Sequence, residues 1–190
     1  MCGELLIFDT NQQFATHRRD DNKALWDGLI NDAVSTTATD EFPTSLDHKL
    51  SGKRIDNVTG GNLGAEARMG IVYTEGVVKR GMTLQRFADV TSTNAARILG
   101  LYPRKGVIAA GSDADIVLID PSVRKRLSLA DLHAADHSVW EGWEIHGWPV
   151  TTILRGKVVV EHGQLLGDPG DGRLIGDRKT SAAVLQGPAC

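Results

Sequence analysis

The spacing of apolar residues predicts alternating strands and helices in the first hundred residues. Residues 5–8 are a short continuous apolar run, which is typical of a buried strand. Asp20 and Asp21 are placed to cap a helix whose apolar side chains recur at helical spacing over 24–30. Small and β-branched residues over 33–39 predict a second buried strand. This alternation favours a parallel sheet with helices on its faces.

Three further helices are predicted before the chain changes character. Residues 65–79 carry apolar side chains along one helical face. Thr83 and Ser92 are expected to cap two shorter helices, over 84–89 and 93–99. A polar, glycine-bearing stretch precedes these helices and is too long for an ordinary connection. Loops of that length are usually functional or mobile.

The second half predicts mostly β structure. A strand-like run over 114–120 is expected to end at Pro121. Residues 151–161 hold two short strands, and the Arg155-Gly156 link between them fits a tight hairpin. We therefore predict a β/α unit, a β unit and a flexible tail, over residues 1–100, 101–167 and 168–190.

Composition and charge narrow the classes of function. The 190 residues include 21 basic and 24 acidic side chains, for a formal net charge of −3. That balance gives no field for a polyanion, so we expect no nucleic-acid partner. The apolar runs fall well short of the about 20 residues that a membrane span needs, so no membrane partner is expected either. Cys2 and Cys190 form no CxxC pair, which favours a reducing, cytoplasmic location.

Asp40 is the strongest candidate for chemistry because of its position. It directly follows the predicted strand over 33–39. In β/α barrels and open α/β sheets, reacting groups lie at the carboxyl ends of strands. A carboxylate there can bind a metal ion or act as a base. The alternative is a plain structural cap of a helix or turn, a position that aspartate also favours.

Other polar and aromatic groups give weaker signals. The six histidines contain no HxH or HExxH pair, and we interpret His133 and His137 as surface or interface residues. Gly60, Gly61 and Asn62 begin a turn that lacks the Lys-Ser/Thr of a phosphate loop, although its backbone N–H groups can bind a small polar ligand. Three tryptophans are more typical of core packing or a subunit contact than of ligand stacking; they are Trp140, Trp143 and Trp148.

Several segments carry a distinctive order of residues. They are TSTNAAR at 91–97, LYPRKG at 101–106, GSDADIV at 111–117 and EGWEIHGWP at 141–149, with ATD at 38–40 and GAEAR at 64–68 upstream. Together they resemble the C-terminal region of the D-hydantoinase and dihydropyrimidinase family. The resemblance runs from about residue 2 to about residue 178.

The resemblance implies an α/β fold, with the C-terminal part of a TIM-like β/α metal-dependent hydrolase barrel followed by part of a β-sandwich. It implies a hydrolase that opens small cyclic amides with a hydroxide activated by two divalent metal ions, usually zinc. Asp40 matches the family's metal-ligating, proton-shuttling aspartate. Gly60, Gly61 and Asn62 fall near the substrate loop. The resemblance also implies a homo-oligomer, which is a tetramer in the complete enzyme.

The chain also departs from the family pattern. The family's His-x-His pair, carboxylated lysine and two further histidines lie upstream of the aligned region. We therefore expect one copy of this chain to hold an incomplete metal site or none, and to be inactive alone. The family's Ser-Pro-Pro-x-Arg segment is FATHR at 14–18, and its Asp-His-Cys is Asp-Glu-Phe at 40–42.

Two alternatives stay open beside a truncated hydrolase. The first is a non-catalytic oligomerisation or scaffold module related to dihydropyrimidinases. The second, weaker on the segment at 101–106, is an allantoinase or a dihydroorotase. Barrel strands that lack their neighbours expose unpaired edges, which promote association. The truncated-hydrolase hypothesis therefore predicts a poorly soluble or oligomeric chain.

Overall fold

The structure, a computed structural model, describes residues 19–52, 54, 57, 63–133 and 136–176. The strand predicted at 5–8 and the segment at 14–18 lie outside the described residues. In the described ranges, no helix is both long enough and apolar enough to cross a membrane.

The first helix, α1 (Arg19–Ile30), confirms the helix predicted over this region. Its apolar face buries Trp26 and Leu29. The expected capping role of Asp20 and Asp21 is wrong, because α1 begins at Arg19 and both lie within its first turn.

Residues 33–39 do not form the predicted strand. A turn after α1 leads into this segment, and the N–H of Val34 donates to the carbonyl of Gly28 at 3.0 Å. Residues 35–39 are irregular. The N–H of Thr37 donates to the carbonyl of Val90 at 2.9 Å, so its partner is a helix and not a strand. A β-branched run favours extended backbone, but a strand also needs a hydrogen-bonded neighbour. The described residues contain no such neighbour and no parallel sheet.

After residue 45, one short helix is followed by two longer helical runs. The short α2 (Leu46–Leu50) lies within the polar stretch. The helix predicted over 65–79 is confirmed as α3 (Ala65–Val72), which continues as a π-helical turn (Tyr73–Val78).

The two helices predicted after residue 83 form one continuous run. It comprises α4 (Leu84–Ala88), a π-helical turn (Asp89–Thr93) and α5 (Asn94–Ile98). Thr83 caps it as predicted, since its hydroxyl accepts from the N–H of Arg86 at 3.1 Å. The capping role of Ser92 is wrong because Ser92 lies inside the π-helical turn. A serine caps a helix only where the backbone leaves the helical region, and this run contains no break.

The β half is a four-stranded antiparallel sheet in the order β1-β2-β3-β4. Its strands are β1 (Ile116–Arg126), β2 (Glu144–Leu154), β3 (Lys157–Glu161) and β4 (Gln164–Leu165). The predicted hairpin is confirmed, with φ +46° at Arg155 and +85° at Gly156, the left-handed pair that a two-residue turn requires. The expected end at Pro121 is wrong. β1 passes through it at a register shift between Asp120 and Arg124, where a proline costs no ladder hydrogen bond.

One hydrophobic core joins the helices to the sheet. Its buried members come from α1, α3, the 84–98 run and the β half; they include Trp26, Leu29, Ile71, Val72, Val90, Leu127, Trp140 and Ile145. The division of the chain at residues 100 and 167 stays a prediction.

Two glycines interlock α3 with β2. A Cβ added at Gly70 would lie 2.4 Å from Cε3 of Trp148, so the indole ring fills the place of a side chain on α3. Gly147 has φ +90°, and a Cβ there would lie 2.6 Å from the ring of Tyr73. The helical run and β2 therefore each contribute one glycine and one aromatic ring. The ring of Trp148 packs on Gly70, and the ring of Tyr73 packs on Gly147. We call these four residues the glycine interlock.

Polar contacts reinforce the same interface. The buried hydroxyl of Thr74 donates to the carbonyl of Gly70 at 2.7 Å and accepts from the N–H of His146 at 3.0 Å. On the sheet side, Nζ of Lys125 lies 3.7 Å from the ring centroid of Trp148. The ring is thus confined by α3 on one side and by a cation on another.

The segment predicted as a tail begins with a short 3-10 turn (Pro169–Asp171). Nζ of Lys157 donates to Asp168 at 3.0 Å and to Asp171 at 2.8 Å, which ties this turn to β3. The guanidinium of Arg155 also donates to the carbonyl of Asp171.

Candidate functional site

Asp40 lies at the end of the irregular segment 35–40 and is exposed. Its φ of +47° places it in the left-handed region, which aspartate tolerates better than most residues. The prediction placed Asp40 at the end of a strand. In the structure, Asp40 ends an irregular segment instead of a strand.

Side chains from two helical runs hold this segment. Nη1 of Arg68 donates to both the carbonyl and the hydroxyl oxygen of Thr37, each at 3.2 Å. Nδ2 of Asn94 donates to the carbonyl of Ser35 at 3.0 Å. Burial lowers the pKa of Arg68 from its ordinary value, but an arginine remains charged at neutral pH. The backbone leading to Asp40 is therefore held by a half-buried guanidinium and by a side-chain amide.

Glu41 connects the Asp40 segment to the start of α3. Its Oε2 accepts from the N–H of Gly64 at 2.8 Å and from that of Ala65 at 2.5 Å. Gly64 offers no side-chain cap, so the carboxylate of Glu41 supplies it from 23 residues away. A negative charge is favoured at this end of a helix. The same contact joins the two ends of the polar stretch 41–64.

A loop of the β half anchors the first part of that stretch, at Leu46. The N–H of Leu46, the first residue of α2, donates to Oδ2 of Asp136 at 3.0 Å. Nδ1 of His137 lies 2.7 Å from Oδ1 of the same carboxylate. The hydrogen bond with His137, and then that with Leu46, lowers the pKa of Asp136. The polar stretch is thus attached both to α3 and to the sheet half.

Three of the predicted site residues, Gly60, Gly61 and Asn62, lie outside the described residues. Their role at a substrate loop stays a prediction, and only their flanks are described. Sequence reasoning missed Glu41 and Asp136. Two signals for Glu41 were available. It is a carboxylate next to Asp40, and α3 is preceded by a glycine, which has no capping side chain.

The tryptophans pack as the prediction favoured. Trp140 is buried, and its ring meets that of Trp143 edge-on at 5.2 Å between centroids. Trp148 belongs to the glycine interlock. These rings contribute to the core that positions α3.

The described residues do not fit a complete metal site. No group of three or more His, Cys, Asp or Glu side chains converges to hold an ion anywhere in the described ranges. A catalytic zinc site uses about three protein ligands. Asp40 therefore belongs to no such group among the described residues.

Comparisons with known proteins place this arrangement in a family. Residues 4–159 match the model of the amidohydrolase family. A D-hydantoinase of Geobacillus stearothermophilus is 36% identical over 165 residues, which is 85% of this chain and 35% of the relative. Dihydropyrimidinase-related protein 5 of Mus musculus is 40% identical over 147 residues, or 76% of this chain and 26% of the relative. A solved structure of D-hydantoinase superimposes with a TM-score of 0.83 at 36% identity, covering 87% of this chain and 36% of that one.

The chain spans about a third of the length of the D-hydantoinases that it matches. The likeness confirms the predicted fold class, the C-terminal part of a β/α hydrolase barrel followed by part of a β-sandwich. The family resemblance drawn from the sequence motifs is confirmed as well. With more than half of its residues matched by the family model and a solved relative of the same fold, the chain belongs to the amidohydrolase family.

Proposed function

We propose that this chain is part of a hydrolase that opens the ring of a small cyclic amide, such as a hydantoin or a dihydropyrimidine. The observation that carries the proposal is its likeness to D-hydantoinases, at 36–37% identity over about 85% of the chain. Because the chain spans about a third of those relatives, the complete reaction needs groups beyond the described residues.

In the proposed reaction, water adds to the ring carbonyl carbon and the ring C–N bond breaks. The carboxylate of Asp40 accepts a proton from the attacking water and delivers it to the leaving nitrogen. Its exposure leaves it accessible to a substrate. Arg68 and Glu41 take the role of positioning residues, since they hold the backbone on either side of it.

The metal requirement belongs to the same proposal. Amidohydrolases are generally metal-dependent, and two divalent ions such as zinc are expected in the complete enzyme. The further donors would come from outside the described residues, because those residues offer no complete set. A cytoplasmic location and a homo-oligomeric, tetrameric assembly are also proposed. They rest on the cysteine usage and on the family resemblance, respectively.

The test measures ring opening by the natural polypeptide that contains this chain. Hydantoin and dihydrouracil are the substrates, and the appearance of the carbamoyl amino acid is the readout. Asp40→Asn should lower kcat by about 10²–10⁴-fold, the usual contribution of a general acid–base group. Asp27→Asn is the matched control, because Asp27 is an exposed aspartate that bonds Lys23 on α1. Equal activity in the two variants would remove Asp40 from the reaction.

A second candidate is a non-catalytic scaffold module. The 40% identity to dihydropyrimidinase-related protein 5 favours it. The same assay separates the two, since a scaffold module opens neither ring. A result with no ring opening and a stable assembly would replace the hydrolase with the scaffold.

A further inference from the structure

His133 lies between two elements that are distant in sequence. Its Nδ1 is 2.9 Å from Oε2 of Glu66 in the first turn of α3, and its Nε2 is 3.1 Å from the carbonyl oxygen of Gly163 in the β3–β4 turn. The backbone N–H of His133 also donates to Glu66, at 2.9 Å to Oε2 and 3.0 Å to Oε1. We call His133, Glu66 and Gly163 the histidine clasp.

The geometry of the histidine clasp requires a charged imidazole. Both ring nitrogens face oxygen atoms that accept hydrogen bonds, namely an ionised carboxylate and a carbonyl. A neutral imidazole has one N–H, whereas the imidazolium has two. Only the imidazolium can make both contacts. In agreement, the pKa of His133 is raised above its ordinary value, first by the hydrogen bond to Glu66, then by the charge of Glu66 and by the carbonyl of Gly163.

The neighbouring charged groups have other partners. On the same loop, the carboxylate of Asp131 accepts from Nζ of Lys125 at 2.9 Å, and Asp136 is bonded by His137. On the β3–β4 turn, His162 precedes Gly163, and its backbone N–H donates to the carbonyl of Val150 at 2.7 Å. Glu66, on α3, is the charge that acts on the His133 ring.

We propose that the histidine clasp is a pH-operated device that fastens the β3–β4 turn to the first turn of α3. As imidazolium, His133 binds both elements. On deprotonation, its one remaining N–H stays with Glu66, because a carboxylate is a stronger acceptor than a carbonyl and the backbone N–H keeps His133 beside it. The Nε2 lone pair then faces the carbonyl oxygen of Gly163, and the turn is released.

The released turn would change what α3 is attached to. Glu66 follows Gly64 and Ala65, whose N–H groups bind Glu41. The clasp therefore acts on the same helical turn that connects to the Asp40 segment. The histidine clasp is a contact within the fold and does not depend on the proposed reaction.

The pH range follows from the direction of the pKa shift. A histidine whose pKa is raised on folding contributes stability that is fully present below its unfolded pKa of about 6.5. That contribution is lost as the pH rises through the higher folded pKa. The clasp is therefore closed in mildly acid solution and open in mildly basic solution.

Nuclear magnetic resonance of the ¹⁵N-labelled chain tests the proposal directly. Two-bond ¹H–¹⁵N spectra of the histidine rings give the pKa and the neutral tautomer of His133, and the amide resonance of Gly163 reports the turn. We expect a His133 midpoint above about 6.5, an Nδ1–H tautomer when neutral, and a Gly163 shift with the same midpoint. A His133 midpoint at or below the ordinary value, or a Gly163 resonance that does not follow it, overturns the proposal.

Three variants separate the clasp from general effects of pH. Glu66→Gln should shift the His133 midpoint down towards about 6.5. His133→Gln should remove the titration of the Gly163 resonance. His48→Gln, at an exposed histidine on α2, is the control and should leave that titration unchanged. A second readout needs no resonance assignment: the rise in Tm on acidification from mildly basic pH should be smaller in His133→Gln than in His48→Gln. Equal rises would contradict the clasp.

Discussion

Replacing Gly70 with alanine tests whether the glycine interlock fixes the helices on the sheet. The new Cβ would lie 2.4 Å and 2.5 Å from Cε3 and Cζ3 of Trp148, well inside the about 3.5–4.0 Å of an ordinary carbon contact. The ring cannot yield freely, because Lys125 lies over it at 3.7 Å. Overpacking of this kind costs about 1–3 kcal/mol.

A gain in helix propensity opposes that cost. Alanine is favoured over glycine inside a helix by about 0.8–1.0 kcal/mol. The expected net loss is therefore roughly 0–2 kcal/mol in the free energy of unfolding. At this chain length the corresponding fall in Tm is about 2–4 °C per kcal/mol.

Urea unfolding of a double-mutant cycle isolates the contact. Trp148→Leu removes the ring, and Gly70→Ala in that background should be neutral or stabilising by up to about 1 kcal/mol. Gly170→Ala is the matched control, since a Cβ there meets nothing within 4 Å. An equal cost of Gly70→Ala with and without the tryptophan would show that the ring does not oppose the new Cβ.

Two other substitutions follow from the same structure. Glu41→Ala should lower the free energy of unfolding by about 1 kcal/mol in urea titration because α3 loses its cap. Glu41→Gln keeps an acceptor oxygen and should lose less. A Glu41→Ala chain as stable as the parent would mean that the contact with Gly64 does not stabilise the fold. Glu75→Ala should cost about 1–3 kcal/mol because the buried carboxylate accepts charged hydrogen bonds from Lys79 at 2.6 Å and Arg80 at 2.7 Å; thermal melting within error of the parent chain would contradict a stabilising role for these bonds.

Local chemistry explains which elements were predictable. The hairpin at Arg155-Gly156 and the cap at Thr83 depend on residues within a few positions of each other, so the sequence pattern contains them. Ser92 has the same capping chemistry as Thr83, but tertiary packing carries the helix through it. The run over 33–39 has the composition of a strand, yet a strand depends on a neighbour that no local pattern specifies.

The candidate site likewise combines a local feature that the sequence shows with long-range contacts that it does not. Asp40 could be proposed from the sequence because it follows a run of small and β-branched residues, which is a local feature. The groups that hold its surroundings are not local. Glu41 reaches Gly64 across 23 residues, Arg68 reaches Thr37 across 31, and Asp136 reaches Leu46 across 90. Contacts at such separations follow from the packing of the core and cannot be read from spacing.

The glycine interlock also limits how the two halves can move. The ring of Trp148 projects into α3 while the ring of Tyr73 projects into β2, so sliding in either direction along the interface is blocked by one ring or the other. Separation along the perpendicular meets no such obstacle and is resisted by the buried apolar contacts and by the hydrogen bond between Thr74 and His146. Any large relative motion should therefore be an opening and not a shear. For the same reason, a sheet half grafted from a relative would need to bring its ring and its glycine together, because each fits only the complementary position on the helix.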